Sequence, residues 1–223
     1  MTGREIQPSK QARMMVKHMA GAWRAPMFAL TSEIDMTATS AARVAGSTLT
    51  DMIVSACAAS LRENPALNAH FREEDGTVIQ YDDMNIGLAV ATAHGLLVPV
   101  IHGVQKLTLA EIAAKRREIV EKARAGQARI ADMSGGTFTI SNLGMFDVVR
   151  FTSIVNAPQV AILSVGSTNR RYLWNGGEPQ WRPVAEFTLT SDHRAVDGAT
   201  AAAFLAALKQ RLESKEQTSE IKI

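Results

Sequence analysis

Ser191-Asp192-His193-Arg194-Ala195-Val196-Asp197-Gly198 decides how this 223-residue chain is read. A β-type run, Ala185 to Thr190, leads into it, and a helix-type run beginning near Ala199 follows. An imidazole and a carboxylate thus stand four positions apart in a strand-to-helix loop, where a rigid scaffold exposes and fixes functional groups. Earlier lies Gly135-Gly136-Thr137-Phe138-Thr139-Ile140-Ser141-Asn142-Leu143-Gly144, a β-type run that ends in a hydroxyl beside a turn. One base and one remote hydroxyl donor are the minimum equipment for acyl transfer to a thiol. On spacing alone an ordinary reading stays open for both segments. Asp192 or Asp197 would then cap the last helix, His193 would be a loop residue, and Ser141 a strand-end residue.

Periodicity places these segments among helices and strands. Ala12, Met15, Val16 and Met19 recur at helical spacing over residues 9–22. Phe28, Leu30, Ile34 and Met36 alternate with Thr31, Glu33 and Asp35, which predicts a half-buried strand over 27–36. A second helix is expected over 50–62, closed by Asn64-Pro65. Another opens at the capping box Thr108-Leu109-Ala110-Glu111 and stops at Gly126. Its Lys and Arg residues at 115–117, 122 and 124 read as a solvated face, with a phosphate site as the second reading.

The runs 86–91 and 96–101, separated by His94-Gly95, read as strands buried on two faces. Strands are also expected over 136–141, 160–166 and 184–190, with Asn175-Gly176-Gly177 as a hairpin turn between the last two. The last helix is expected to turn Phe204, Leu205, Leu208 and Leu212 inward. Residues 1–8 and 214–223 are expected to be flexible.

The order of elements is mixed α/β without strict βαβ alternation, which disfavours a doubly wound sheet. Neither G-x-G-x-x-G after a strand nor G-x-x-x-x-G-K-[ST] occurs, and neither C-x-x-C nor H-x-x-x-H, so no metal is expected. A net charge of +2 gives no argument for nucleic acid or a membrane surface. The lone cysteine, Cys57, reads as a small buried hydrophobe, and the chain as cytoplasmic. The other histidines, His18, His70, His94 and His102, read as structural or solvated.

Taken together, several blocks in order resemble the catalytic domain of the dihydrolipoamide acyltransferases, the core subunits of 2-oxo acid dehydrogenase complexes. The blocks are Asn64-Pro65-Ala66-Leu67-Asn68-Ala69, residues 85–91, residues 95–101, Gly135 to Phe146, Asn156-Ala157-Pro158-Gln159 and Ser191 to Gly198. The resemblance implies a chloramphenicol acetyltransferase-like, two-layer α/β sandwich with a mixed sheet packed by helices, forming trimers. It spans nearly the whole chain as one catalytic domain over 1–223, without a lipoyl or peripheral-subunit-binding domain.

It also implies a function. A short acyl group would pass between coenzyme A and the thiol of dihydrolipoamide, with coenzyme A as substrate and the lipoyl group supplied in trans. His193 matches the general base and Ser141 the oxyanion donor. Asp197 matches a structural anchor paired with an arginine, for which Arg13 is the candidate. Gly198 is expected to need a conformation that a Cβ would penalise. Coenzyme A contacts are not assigned. The implied partners are a homotrimer or larger assembly, a lipoyl-domain protein and 2-oxo acid decarboxylase subunits.

Two other functions stay in view: a non-catalytic structural core, and an acetyltransferase acting on a small hydroxyl acceptor. The chain also departs from the family. Ala20 to Met27 replaces a longer segment that usually carries serine and histidine. Asp147 stands where glycine is usual, and Ser219 to Ile223 replaces an apolar tip. Val148 and Gly166 stand where succinyl-transferring members place polar side chains, so a small, uncharged acyl group is expected.

Overall fold

The structure is a computed structural model that describes residues 3–93, 95–174 and 177–214. Helix α1 (Lys10–Ala22) is capped by Ser9, whose hydroxyl accepts from the Ala12 amide. Strand β1 (Met27–Asp35) and a short helix, α2 (Thr37–Ala41), lead to α3 (Leu49–Glu63). A hairpin of β2 (Ala69–Arg72) and β3 (Thr77–Gln80) follows. Next come four short strands: β4 (Ile86–Leu88), β5 (Val90–Thr92), β6 (Gly95–Leu97) and β7 (Val100–Ile101). Helix α4 (Leu109–Arg124) precedes β8 (Phe138–Asn142), β9 (Ala161–Val165), β10 (Asn169–Leu173), β11 (Gln180–Asp192) and α5 (Gly198–Glu213).

The main sheet runs β1-β11-β9-β8-β4-β7, with β10 on the first half of β11. It is mixed: β8 lies parallel to both β9 and β4, and the other pairings are antiparallel. This agrees with the expected α/β sandwich. Helices α3 and α5 pack together on one face, with α4 beside α3. Alternation along each strand sorts the side chains. Ile34, Phe138, Ile140, Leu163, Phe187 and Leu189 join the core beneath those helices, as do Phe204, Leu205, Leu208 and Leu212 of α5.

The opposite face carries hydroxyls and amides, several of which pair with one another. Thr31 bonds Thr188 at 2.9 Å, Ser153 bonds Ser164 at 2.7 Å, and Thr139 donates to Gln159 at 2.6 Å. Buried Glu186 lies on this face too. Burial pushes its carboxyl up, but hydrogen bonds from Arg150 and Arg171 outweigh that and hold it below the usual range.

Several expectations need correction. The apolar runs 86–91 and 96–101 are not two long buried strands. Only β4 and β7 enter the main sheet, while β5 and β6 pair as a separate hairpin that leaves Leu96 exposed. Pro99, which has no N–H, interrupts the second run, although its carbonyl still accepts from Leu88. The last strand is longer than expected, and the hairpin near Asn175 joins it to β10, not to β9. Asn175, Gly176, His94 and the tail from residue 215 lie outside the described residues.

Arg116 does not belong to a solvated face. It pairs with the fully buried Asp51 at 2.6 Å. Asp51 also accepts from the Thr48 amide and hydroxyl, so one carboxylate caps α3 and ties it to α4. Cys57 is fully buried, and burial pushes its thiol far up, as a small core hydrophobe requires.

Asp51→Ala should therefore destabilise the fold by about 3–5 kcal/mol, because it strands the Arg116 guanidinium and uncaps α3. Urea unfolding monitored by circular dichroism measures this, and a loss below about 1 kcal/mol would show the pair to be a surface-like contact.

Candidate active site

The loop that holds His193 is fixed by an unbroken series of main-chain bonds. Asp192 donates to the carbonyl of Val160 at 2.9 Å, and His193 to that of Pro26 at 2.9 Å. Ala195 and Val196 both donate to the Asp192 carbonyl, at 3.1 and 3.0 Å. The Arg194 amide donates to the Asp192 carboxylate at 3.0 Å. The imidazole is exposed and packs against Phe28, ring centroids 4.6 Å apart. Neither of its nitrogens has a hydrogen-bond partner among the described residues.

Asp197 is not paired with Arg13. It is the N-cap of α5 and accepts from the Thr200 amide at 2.7 Å, while Arg13 donates to the carbonyl of Pro8 at 2.8 Å. The bond from the Thr200 amide is the main reason the Asp197 carboxyl sits below its usual value, with His193 contributing. The arginine–aspartate pair in this loop is Arg194 with Asp192, which sequence reasoning considered only as a helix cap. A charged pair two residues apart across a histidine was the available signal. Gly198 also differs from expectation: its φ is ordinary, and a Cβ there would meet nothing within 4 Å.

Ser141 lies near the end of β8. Alternation turns Phe138 and Ile140 into the core and Ser141 to the polar face. Its hydroxyl has no hydrogen-bond partner among the described residues, so the donor is free. The chain then turns sharply. Asn142 accepts from the Gly144 amide at 2.9 Å, and Asp147 takes up the left-handed region at φ 58°. That conformation favours glycine, and Asp is among the few other residues that tolerate it. Gly166 is fixed by close approach, since a Cβ would lie 2.0 Å from the carbonyl oxygen of Val149. The position is empty because the 148–150 segment packs there.

Strand register measures the distance between the two candidates. Ser141 stands opposite Ser164, and Ser164 opposite Thr188. His193 lies five residues beyond Thr188 along the chain. Two strand spacings and five residues of rise place the two main chains roughly 19 Å apart. An imidazole and a hydroxymethyl of one chain cannot reach the same carbonyl across that gap.

A cleft of about 820 Å³ abuts the His193 loop, between α1 and the β2–β3 hairpin. Lys17, His18, His70, Tyr81, Asp192 and Arg194 line it. His18 bonds Asn156 at 2.9 Å, and His70 is held between the Gly136 carbonyl and the Tyr81 hydroxyl, so both histidines have structural partners. Among the described residues, no group of three or more His, Cys, Asp and Glu is arranged to hold a metal ion, and no helix is long and apolar enough to cross a membrane.

Comparison with known proteins places this geometry. The chain is 42% identical over 167 residues to a dihydrolipoyllysine-residue acetyltransferase of the mitochondrial pyruvate dehydrogenase complex of Schizosaccharomyces pombe, covering 74% of this chain and 34% of that protein. It is also 42% identical over 160 residues to the human succinyltransferase component of the 2-oxoglutarate dehydrogenase complex, covering 72% and 35%. The chain thus spans about a third of the length of these relatives.

The Azotobacter vinelandii dihydrolipoamide acetyltransferase superposes with a TM-score of 0.92 at 32% identity, covering 97% of this chain and 94% of that one. That protein's catalytic mechanism was investigated through a serine, a histidine and an asparagine. The serine precedes the histidine by 52 positions, and the asparagine follows it by four. Ser141, His193 and Asp197 have the same spacing. Chloramphenicol acetyltransferase shares the fold at 17% identity, with a TM-score of 0.59. With the family model for the catalytic domain of 2-oxoacid dehydrogenase acyltransferases matching residues 2–219, this chain belongs to that family.

Proposed function

We propose that this chain transfers a short acyl group between coenzyme A and the thiol of a dihydrolipoyl group carried by another protein or domain. The observation that carries the reading is the fixed, exposed His193 loop combined with a free Ser141 donor, at the spacing of the serine and histidine investigated in the Azotobacter acetyltransferase. A thiol with an ordinary pKa of about 8.5 is mostly protonated near neutrality, so it needs a base as it attacks. His193 takes that proton, and the thiolate sulfur adds to the thioester carbonyl. Ser141 donates to the oxyanion of the tetrahedral intermediate. Collapse expels the first thiolate, which recovers the proton from His193. No acyl-enzyme and no metal enters the cycle.

The separation within one chain has a consequence for assembly. His193 of one copy must meet Ser141 of another, so the working unit is an oligomer, and the family resemblance favours a trimer. Met145, Phe146 and Val149 support this, since all three are exposed apolar residues close in sequence to Ser141. The buried Cys57 is compatible with a cytoplasmic protein.

For the acyl group, relatives named for acetyl and for succinyl transfer are equally similar, so identity does not choose. Val148 offers no polar group, and the cation of that segment, Arg150, is already engaged by Glu186. A succinyl carboxylate would be desolvated there without a partner, which favours acetyl.

His193→Ala should abolish transfer, and Ser141→Ala should lower kcat roughly a hundredfold or more with KM little changed. Chains carrying either substitution, unfolded together and reassembled, should recover about a quarter of wild-type activity, the random share of interfaces that pair an intact base with an intact donor. No recovery, with oligomers present by light scattering, would place both groups in one subunit.

Acetyl-CoA should outcompete succinyl-CoA for dihydrolipoamide, and a kcat/KM preference for succinyl-CoA would overturn the acetyl assignment. A panel of small alcohols in the same assay tests the hydroxyl-acceptor reading. Inactivity with every acceptor would favour a structural core.

The folded Asp197 carboxyl is held low, so its contribution to stability is present above the ordinary carboxylate pKa of about 4 and fades as the pH falls. Asp197→Asn should keep the cap near neutrality and show a shallower fall in Tm below about pH 4. Thermal melts across pH check this, and an Asn variant that fails to fold at pH 7 would mean that a charge, not a cap, is required.

A further inference from the structure

We propose that Asp192 and Arg194 act together as positioning residues that aim the His193 imidazole. The inference rests on the reading of His193 as the base. With neither ring nitrogen bonded among the described residues, the direction of the imidazole follows from its main chain and its contact with Phe28. Every amide from Asp192 to Val196 is donated, and four of the five go to main-chain carbonyls. The fifth, from Arg194, goes to a side chain: the carboxylate of Asp192.

That carboxylate is 3% exposed as a residue and is held in turn by the Arg194 guanidinium, through Nε at 3.0 and 3.1 Å and Nη2 at 2.7 Å. The guanidinium lies 4.1 Å from the centre of the Phe71 ring, and its Nη1 donates to Glu73 at 3.2 Å. Phe71 is anchored by its own amide on the Pro158 carbonyl at 2.8 Å. A planar, forked cation therefore transmits the position of the β2–β3 hairpin to the residue on each side of the base. A lysine could pair with Asp192 but could not chelate the carboxylate and stack on Phe71 at once.

Arg194 also lines the cleft, so a substrate-binding role would raise KM, whereas an aiming role lowers kcat. The experiment measures acyl transfer from acetyl-CoA to dihydrolipoamide by the full chain. The variants are Arg194→Met, Arg194→Lys, Asp192→Asn and the Asp192→Asn/Arg194→Met double, with His193→Ala as control. Circular dichroism and light scattering on each preparation report the folded, assembled fraction.

Arg194→Met should lower kcat per assembled site roughly tenfold to a hundredfold, with KM within about twofold. The Lys variant should fall between Met and wild type, and the double variant should be no worse than the worse single, as for residues acting as one unit. An unchanged kcat with raised KM, or a loss that only mirrors the loss of folded protein, overturns the inference. An inactive His193→Ala beside a fully active Arg194→Met removes this inference alone. Activity in His193→Ala removes the base assignment and the inference with it.

Discussion

Strand β11 is the constraint on which the rest of this fold depends. Thirteen residues long, it pairs with β1, β9 and β10, and its end delivers the loop that carries His193. Its alternation sets both layers at once. Ala185, Phe187 and Leu189 bury under the helices, and Glu186, Thr188 and Thr190 form the polar face. A slip of one residue would exchange the two faces and put a carboxylate into the core. The hydroxyl pairs and the doubly held Glu186 therefore help specify register as well as satisfy their own hydrogen bonds.

The same strand geometry distributes the chemistry. The two candidates, His193 just past β11 and Ser141 on β8, are well displaced along the strand direction, and each is prepared locally. The His193 loop is fixed by donated amides, while Ser141 keeps an unspent hydroxyl at the end of a buried strand. Neither needs the other to be held in place. On the proposed reading the two would meet only across a subunit boundary, which would make assembly a condition of activity. Preorganisation of this kind is where an oxyanion donor gains its effect, because it does not reorganise during the reaction.

Three aspartates near the candidate residues have physical explanations of different kinds. Asp147 occupies a left-handed position that glycine would fill more easily, and the Asn142 turn beside it supplies the local bonding. Asp197 is a helix cap, a task for which aspartate and asparagine are nearly equivalent. Asp197 has no bond to a distant arginine, and the arginine–aspartate pair of this loop joins Asp192 to Arg194, two residues further on.

By itself, the sequence determined the α/β class, most helices and strands, the buried faces of β1 and α5, and the burial of Cys57. These features follow from periodicity, capping boxes and motif order, which are local and survive without coordinates. The β2–β3 hairpin was missed because its strands are short and mostly exposed, and the division of 86–101 into two sheets because continuous apolar runs carry no pairing information. Only the tertiary structure decided which carboxylate of the His193 loop pairs with Arg194, that Arg116 goes inward to Asp51, and how far Ser141 lies from His193. The last two depend on which elements become neighbours across the fold, and side-chain partners with distant sequence positions leave no period in the sequence to read.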